Sequence, residues 1–198
     1  YQKVGVDVSW VGHPMLDEIA QESNTAISRE NLGLREDLPL LAIAPGSRPS
    51  EIKRHLPTML AALPEIQKNF GEFQCILPLA ESLDFEEIHS KTQNSPVHIV
   101  VVPEKFLESI RACDAAIIAS GTAALQTGLA LKPYVIVYRV SPLTYLIARL
   151  LAKTKYIGIV NVLADKEIVP ELIQNEFTVS NITDHAVRLL QDHEYRGT

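Results

Sequence analysis

The sequence lacks the features that mark several broad classes of protein. No apolar run in the 198-residue chain reaches the roughly 18 residues of a membrane-spanning helix, so the sequence predicts no membrane span. Its two cysteines, Cys75 and Cys113, form neither a disulfide framework nor a metal-binding spacing, which indicates a reducing compartment. The net charge of −6 lacks the basic excess of a general nucleic-acid-binding protein. We therefore expect no nucleic-acid partner.

Two nucleotide-binding motifs and the usual metal-ligand groupings are also missing. The chain contains no G-x-G-x-x-G and no G-x-x-x-x-G-K-[ST], which argues against a NAD-type oxidoreductase and a P-loop NTPase. No grouping of Asp and His has the spacing of metal ligands. We therefore expect neither a metal nor a cofactor.

Short apolar runs alternate with helix-like segments along most of the chain. Most of these runs are continuously apolar, as strands covered on both faces are, and the alternation predicts an α/β fold with a Rossmann-like doubly wound parallel sheet. The hydrophobic content of 46% is sufficient for a sizeable core. The predicted strands are residues 8–12, 40–44, 73–79, 97–102, 115–120 and 134–140.

Two expectations concern where the predicted helices begin, end or are interrupted. An apolar stripe at helical spacing follows Pro49, and we expect Pro57 and Pro64 to break or kink that helix. From Thr154 onward the strand rhythm stops, and "VPELIQNEF" and "DHAVRLLQDHE" are predicted to be helices. We therefore expect one domain over residues 1–198, with residues 154–198 as its C-terminal helical appendage.

Two loops of small polar residues follow predicted strands, where open parallel sheets bind their ligands. Glycines there allow close approach, hydroxyls add donors, and the amides and dipole of the following helix suit an anion. Together with an arginine able to fork onto phosphate oxygens, the two loops predict a diphosphate site. The alternative is that they only form tight turns and helix caps. The residues are Gly46, Ser47 and Arg48 in "APGSRPSE", and Ser120, Gly121 and Thr122 in "ASGTAALQ".

Four stretches of the chain resemble the lipid-A-disaccharide synthase family. They are "VGHPMLDEI", "APGSRPSEIKRHLP", "ASGTAALQTGLALKPYVIVYRVSPLTYLIARLL" and "YIGIVNVLADKEIVPELIQ", and they follow the order of the family. The resemblance implies the C-terminal half of a GT-B enzyme, a glycosyltransferase built from two Rossmann-like domains. It also implies metal-independent, inverting transfer of 2,3-diacylglucosamine from UDP onto 2,3-diacylglucosamine 1-phosphate. The catalytic base would lie in the N-terminal half, so we expect no catalytic residue in this chain.

The resemblance also implies roles for individual residues. Arg48 would face the phosphates of the donor or the nearby sugar, and Ser120, Gly121 and Thr122 would cradle the diphosphate. Three further residues would line the cleft, namely Asn161, Glu171 and Gln174. Asn161 has an equally supported alternative, because a polar side chain in "IGIVNVLA" can instead satisfy the backbone of a turn.

Two positions depart from the pattern of the family. Gln126 stands where the family usually has Glu, and Val160 stands where it usually has Pro. Gln126 lies four residues after Thr122 and so shares its helix face. The resemblance implies that a Glu near this position accepts hydrogen bonds from the ribose hydroxyls of the donor. Replacing this charged acceptor by the neutral Gln126 should cost roughly 1 kcal/mol, about fivefold in affinity.

Residues 115–164 contain no carboxylate, although the whole chain is acidic. The apolar and basic stretch within this window predicts contact with an anionic membrane or with acyl chains through Arg149, Lys153 and Lys155. The alternative is a core helix whose basic side chains reach outward to solvent. The resemblance favours the membrane, and it implies a cytoplasmic protein peripheral to the inner face of that membrane.

The sequence begins without Met and directly in strand-like residues, and we expect it to be part of a longer chain. Its implied partners are UDP-diacylglucosamine, a lipid acceptor and the N-terminal domain of the parent chain, with a homodimer as a further candidate. One alternative function is half of another GT-B enzyme or of a UDP-sugar epimerase. Another is a non-catalytic module that associates with nucleotides or lipids.

Overall fold

A six-stranded parallel sheet organises the chain. The computed structural model describes Met15, residues 29–151 and 154–192, and Tyr195, with the backbone alone for residues 147–151. The strand order is β3-β2-β1-β4-β5-β6, with all pairs parallel, so the predicted Rossmann-like doubly wound fold is confirmed. The predicted strand at residues 8–12 lies outside the described residues. The strands are β1 (Leu40–Ala44), β2 (Gln74–Leu79), β3 (Ile99–Pro103), β4 (Ala115–Ala119), β5 (Tyr134–Tyr138) and β6 (Glu171–Ile173).

Helices cover both faces of this sheet, as parallel strands require. A short 3₁₀ helix at Glu30–Leu32 precedes β1. The α-helices are α1 (Pro49–Phe70), α2 (Phe85–Thr92), α3 (Phe106–Ala112), α4 (Thr122–Leu129), α5 (Pro142–Leu151), α6 (Ile159–Ala164) and α7 (Val179–Gln191).

The alternation of side chains along each strand divides the core into two layers. Leu41 and Ile43 of β1 pack into the layer that contains the buried faces of α1 and α7. Leu40 and Ala42 point the other way, into the layer that contains buried residues of α3 and α4. Because β1 is buried on both faces, its sequence is a continuous apolar run rather than an alternation.

Pro57 and Pro64 were expected to break or kink the first long helix, and the expectation of a break was wrong. Helix α1 runs for 22 residues through both Pro57 and Pro64. An internal proline removes one backbone hydrogen bond and costs about 3 kcal/mol. The apolar stripe of α1 is buried in the core that it shares with α7, and this packing outweighs those losses. The stripe consists of Ile52, Leu56, Met59, Leu63 and Ile66.

The prediction of a helix in "VPELIQNEF" was also wrong. Residues Glu171–Ile173 form β6, which pairs in parallel with β5 at the edge of the sheet. A strand of three residues is too short to show a strand period in the sequence, and its flanks have the spacing of a helix. The segment 154–198 therefore contributes a strand to the sheet and is not a wholly helical appendage. The second predicted helix, residues 184–194, overlaps α7 up to Gln191, and its residues 193 and 194 lie outside the described residues. At the start of α7, Thr178 Oγ1 accepts the Asn181 amide at 3.2 Å.

The strand order places a switch point between β1 and β4. From β1 the chain continues to β2 on one side, and from β4 it continues to β5 on the other. The loops that leave β1 and β4 therefore diverge, and a crevice opens between them. Among the residues that the structure describes, no helix combines the length and the apolar character that crossing a bilayer requires.

Candidate functional site

A cleft of about 420 Å³ lies at the carboxyl ends of the strands on both sides of this switch point. Residues of the β1–α1 turn form one wall, and residues at the start of α4 form another. The structure thus brings together seven of the site residues predicted from the sequence. They are Gly46, Ser47, Arg48, Ser120, Gly121, Thr122 and Gln126.

The start of α4 presents backbone donors to the cleft without a cap. Gly121 is the N-cap residue with φ +155°, and no side chain of the described residues caps this helix end. The first amides of a helix have no partner within the helix, so those of Thr122 and Ala123 are free to bind a ligand. Both residues line the cleft, and the positive end of the helix dipole favours an anion there.

The β1–α1 turn differs, because its amides are already occupied. One carboxylate oxygen of Glu51, Oε2, accepts hydrogen bonds from the Ser47 amide at 3.0 Å and the Arg48 amide at 3.3 Å. Its other oxygen, Oε1, accepts from Arg48 Nη1 at 3.2 Å. The turn that was predicted to bind a diphosphate through its amides therefore holds an internal carboxylate.

Gly46 makes this arrangement possible. Its φ of +121° is a conformation that side-chain-bearing residues rarely adopt, and a Cβ atom there would lie 2.3 Å from Glu51 Oε2. The sequence also holds a signal for the role of Glu51. A glutamate three residues after a helix N-cap is the second half of a capping box.

Arg48 and Glu51 differ in how much of each side chain is exposed to solvent. The Glu51 side chain is 17% exposed, whereas that of Arg48 is 76% exposed. An ion pair with so exposed a partner contributes little to stability. The Arg48 guanidinium can therefore leave Glu51 at small cost and reach a ligand in the cleft.

The β2 and β3 side of the cleft is more apolar and was not predicted. Pro78, Leu79 and Phe106 line it, beside the exposed Glu104. Glu104 has φ +57°, which is uncommon for a residue other than glycine, and its amide donates to the Leu79 carbonyl at 2.9 Å. Such backbone conformations concentrate at functional sites.

Asn161 and Glu171 form a buried network and do not line the described cleft. Asn161 is fully buried, and its Nδ2 donates to the Val169 carbonyl at 2.7 Å and to Glu171 Oε1 at 2.8 Å. Its Oδ1 accepts from the amides of Ile168 at 2.8 Å and Val169 at 3.0 Å. The side chain has thus used all of its hydrogen-bonding capacity on the turn between α6 and β6, which is the alternative role considered above.

Glu171 also fixes the start of α6. Its carboxylate accepts from the amides of Ile157 at 3.0 Å and Gly158 at 2.9 Å. The carbonyl of Ile157 in turn accepts from Ser120 Oγ at 3.4 Å. The network that was predicted to contact the ligand therefore supports the cleft from behind one of its walls.

Gln174 is likewise occupied with backbone groups. Its amide donates to the Tyr138 carbonyl at 2.9 Å, and its side chain bonds both the amide of Val140 at 2.8 Å and its carbonyl at 3.3 Å. A φ of +52° at Gln174 allows this geometry. Gln126 differs from these three residues, because its half-buried side chain has no hydrogen-bond partner within the described part of the chain and lines the cleft.

His55 is a functional candidate that the sequence reasoning missed. It is fully buried on α1, with Nδ1 2.7 Å from the Pro45 carbonyl oxygen and Nε2 3.0 Å from the Arg139 amide nitrogen. Because a carbonyl only accepts and an amide only donates, the proton of the neutral ring lies on Nδ1. Burial is the main reason that the pKa of His55 lies below its usual value. The ring ties the turn after β1 to the end of β5.

The basic residues of the window 115–164 serve different purposes. Lys132 Nζ donates to the Cys113 carbonyl at 2.9 Å, and the Arg139 guanidinium lies 4.8 Å from the centre of the Phe177 ring. Both side chains are half-buried and are held by contacts within the domain. Lys155 is exposed beside Tyr156, whereas Lys153 and the side chain of Arg149 lie outside the described residues. Within the described ranges, no three His, Cys, Asp or Glu residues are grouped to hold a metal ion.

The fold first defines a class of protein. The structure is similar to the Methanocaldococcus jannaschii UDP-GlcNAc 2-epimerase solved with UDP-GlcNAc and UDP (TM-score 0.60, 10% identity), covering 96% of this chain and 51% of that one. It is also similar to the Escherichia coli ADP-heptose lipopolysaccharide heptosyltransferase II (TM-score 0.53, 14% identity), covering 93% and 54%. The domain is thus a Rossmann-like unit of the kind found in GT-B glycosyltransferases.

Sequence comparison then identifies the family. A model of lipid-A-disaccharide synthetase matches residues 1–197, and the chain belongs to that family. The lipid-A-disaccharide synthase of Myxococcus xanthus is 40% identical over 96% of this chain and 49% of its own length. That of Syntrophus aciditrophicus is 37% identical over 99% and 51%. The chain therefore spans about half the length of these curated relatives.

Proposed function

We propose that this chain is the UDP-sugar-binding half of a lipid-A-disaccharide synthase. The parent enzyme would transfer 2,3-diacylglucosamine from UDP onto 2,3-diacylglucosamine 1-phosphate, with a lipid acceptor and the rest of the parent chain as partners. The observation that carries the proposal is the uncapped start of α4, which opens into a cleft at the switch point of the sheet. In a member of this family, such an anion-binding end suits the diphosphate of the donor.

The geometry also suits the chemistry of the proposed reaction. Breaking the bond between sugar and phosphate leaves negative charge on the departing UDP. The amides of Thr122 and Ala123, held at the helix start, would stabilise that charge without reorganising during the reaction. Arg48 would add a mobile cation from the opposite wall. These groups assist the departure of UDP, and the base that activates the acceptor would come from the other half of the enzyme.

The remaining walls suit the nucleoside. Phe106, Pro78 and Leu79 offer an apolar surface on which the flat face of uracil would pack. Gln126, one helical turn into α4, has a free amide that would bind a ribose hydroxyl. We propose that UDP lies across the cleft with its diphosphate at α4 and its base towards β3.

Thermal unfolding with UDP tests the proposal. We expect UDP to raise the melting temperature of the chain, by an amount that grows with ligand concentration. Arg48→Ala should reduce or abolish the shift. The matched control is Arg54→Ala, because Arg54 is also exposed on α1 but, within the part of the chain that the structure describes, bonds only the Ser50 carbonyl of its own helix and does not line the cleft. No shift with millimolar UDP would contradict the proposal.

Two further measurements separate the alternatives. If the lipid donor is the substrate, UDP-diacylglucosamine should bind much more tightly than UDP-GlcNAc, whereas another GT-B enzyme or an epimerase half would not show that preference. The chain alone should have negligible transferase activity, and robust turnover would show that the base lies within it. A module that only associates with nucleotide would bind UDP without regaining activity when the rest of the enzyme is supplied.

We also propose that α5 and α6 contact the membrane or acyl chains. Leu143 and Leu146 on α5 are 67% and 57% exposed, and Leu163 on α6 is 75% exposed. Exposed leucines suit an apolar lipid surface, and the exposed Lys155 and Lys166, which flank α6 in the sequence, would suit its anionic headgroups. Co-sedimentation with vesicles rich in phosphatidylglycerol should decrease in a Leu143→Glu, Leu146→Glu variant. Equal sedimentation of the variant and the wild type would refute the contact.

A further inference from the structure

We propose that Glu51 is an affinity-determining residue: its carboxylate occupies the amides of the β1–α1 turn, and it also pairs with Arg48 until the diphosphate of the donor takes Arg48 from it. The inference rests on the proposed function and goes beyond it, because it assigns the strength of binding to a residue outside the predicted site. It also gives the two walls of the cleft different roles.

The first observation is that the turn already holds an anion. The Glu51 carboxylate receives three hydrogen bonds, from two successive amides and one guanidinium nitrogen. Successive amides that converge on one oxygen form an anion-binding nest. The glycine at position 46 leaves room for this oxygen, since a Cβ atom there would overlap it. A phosphate oxygen would find the same donors at the same place, and Glu51 holds them first.

The second observation concerns the balance of charge. Among the described residues that line the cleft, the charged side chains are Arg48, Glu51 and Glu104. The two carboxylates outnumber the one cation, so an entering diphosphate meets a net negative set of side chains. The free amides and the dipole of α4 are then the main attraction, and Arg48 contributes only when it is released from Glu51.

The third observation is the difference in exposure between the two partners. Glu51 is nearly enclosed, whereas Arg48 extends into solvent. The movement that we infer is therefore that of Arg48, which turns from Glu51 to the diphosphate while Glu51 keeps its backbone donors. The negative charge of Glu51 stays beside the bound UDP and lowers its affinity, which favours release of the product.

The test measures UDP and inorganic pyrophosphate binding by calorimetry at low ionic strength. Glu51→Gln keeps an oxygen that can accept from the turn but removes the charge. Because charged hydrogen bonds are roughly twice as strong as neutral ones, we expect both ligands to bind about fivefold more tightly. Arg48→Ala should weaken binding, and the gain from Glu51→Gln should be smaller in the double variant, where only the repulsion between Glu51 and the ligand is relieved. If the glutamine variant folds poorly, Glu51→Ala takes its place. This variant leaves the turn amides without the carboxylate and should also raise the affinity for both ligands.

The matched control is Glu104→Gln, which removes the other carboxylate of the cleft without touching the turn. It should raise affinity less than Glu51→Gln, because Glu104 accepts no hydrogen bond from Arg48 or the turn amides. Equal gains would overturn the specific role of Glu51. Weaker binding in Glu51→Gln would overturn it too, and would show that Glu51 instead aims Arg48. Failure of the wild-type chain to bind UDP would contradict the proposed function itself, so the two failures are distinguishable.

Discussion

Replacing Asn161 by alanine should destabilise the domain more than any other single change to a polar side chain of the described network around α6. Four hydrogen bonds are lost, and they leave two amides and one carbonyl without this partner, whereas Glu171 Oε1 keeps the Gly158 amide. Each unsatisfied buried group costs about 1–3 kcal/mol, but Ile168 is 38% exposed and water can reach part of the network. We therefore expect a loss of about 3–4 kcal/mol in the free energy of unfolding.

Urea unfolding of three variants tests this reasoning. Asn161→Asp has nearly the same shape, yet it places a second acceptor against the Val169 carbonyl and Glu171, so it should be at least as destabilising as alanine. The control is Asn69→Ala, because Asn69 is exposed on α1 and bonds only the Glu65 carbonyl at 2.7 Å. That control should cost about 0.5 kcal/mol or less.

Two results would refute this account of Asn161. A loss under about 1 kcal/mol for the alanine variant would show that the network contributes little. Unchanged stability with abolished UDP binding would instead show that Asn161 contacts the donor, as the resemblance to the family first implied. The expected result is a less stable domain whose folded fraction binds UDP within a fewfold of the wild type.

Three further predictions concern stability and reactivity. The pKa of His55 in the folded chain lies below its unfolded value of about 6.5, so the folded state is most stable above that pH and loses stability as the pH falls. In urea titrations, His55→Gln should therefore lose less free energy of unfolding between pH 7 and pH 5 than the wild type does. Burial raises the pKa of Cys113 to about 12 and also raises that of Cys75. Neither thiol should therefore react with a disulfide reagent until urea unfolds the chain. Reaction at the rate of a free thiol would contradict their burial. Pro57→Ala should stabilise the chain by up to about 3 kcal/mol in thermal unfolding, because the exposed proline denies α1 one hydrogen bond, and a lower melting temperature would contradict this.

Much of the fold could be predicted because its strands are buried on both faces. The apolar runs that became β1, β4 and β5 owe their pattern to layers above and below the sheet, and that pattern is local. The sixth strand could not be predicted in the same way. Three residues at a sheet edge are held by pairing with β5, an interaction that no short window of sequence contains. The continuity of α1 through its prolines likewise depends on packing against distant elements.

The site was predictable where backbone geometry follows from sequence, and less so where side chains choose between partners. Gly121 before a helix-like segment indicated free amides, and the structure places them at the cleft. The sequence of the β1–α1 turn indicated the same donors, but the carboxylate of Glu51 has taken them. Asn161 could have faced either a ligand or a turn, and only the position of Val169 decides between the two.

Two side-chain hydrogen bonds hold the backbone at the end of β5, and they affect the local dynamics beside the crevice. The amides of Arg139 and Val140 lie beyond the last residue of the strand, yet they donate to His55 and Gln174 side chains from two other elements. Their protons should therefore exchange with solvent deuterium only when α1 or the segment after β6 detaches, on the timescale of subglobal opening. The end of β5 would then open less often than an ordinary strand end, and the turn after β1, which His55 joins to it, would be held in place before a ligand arrives.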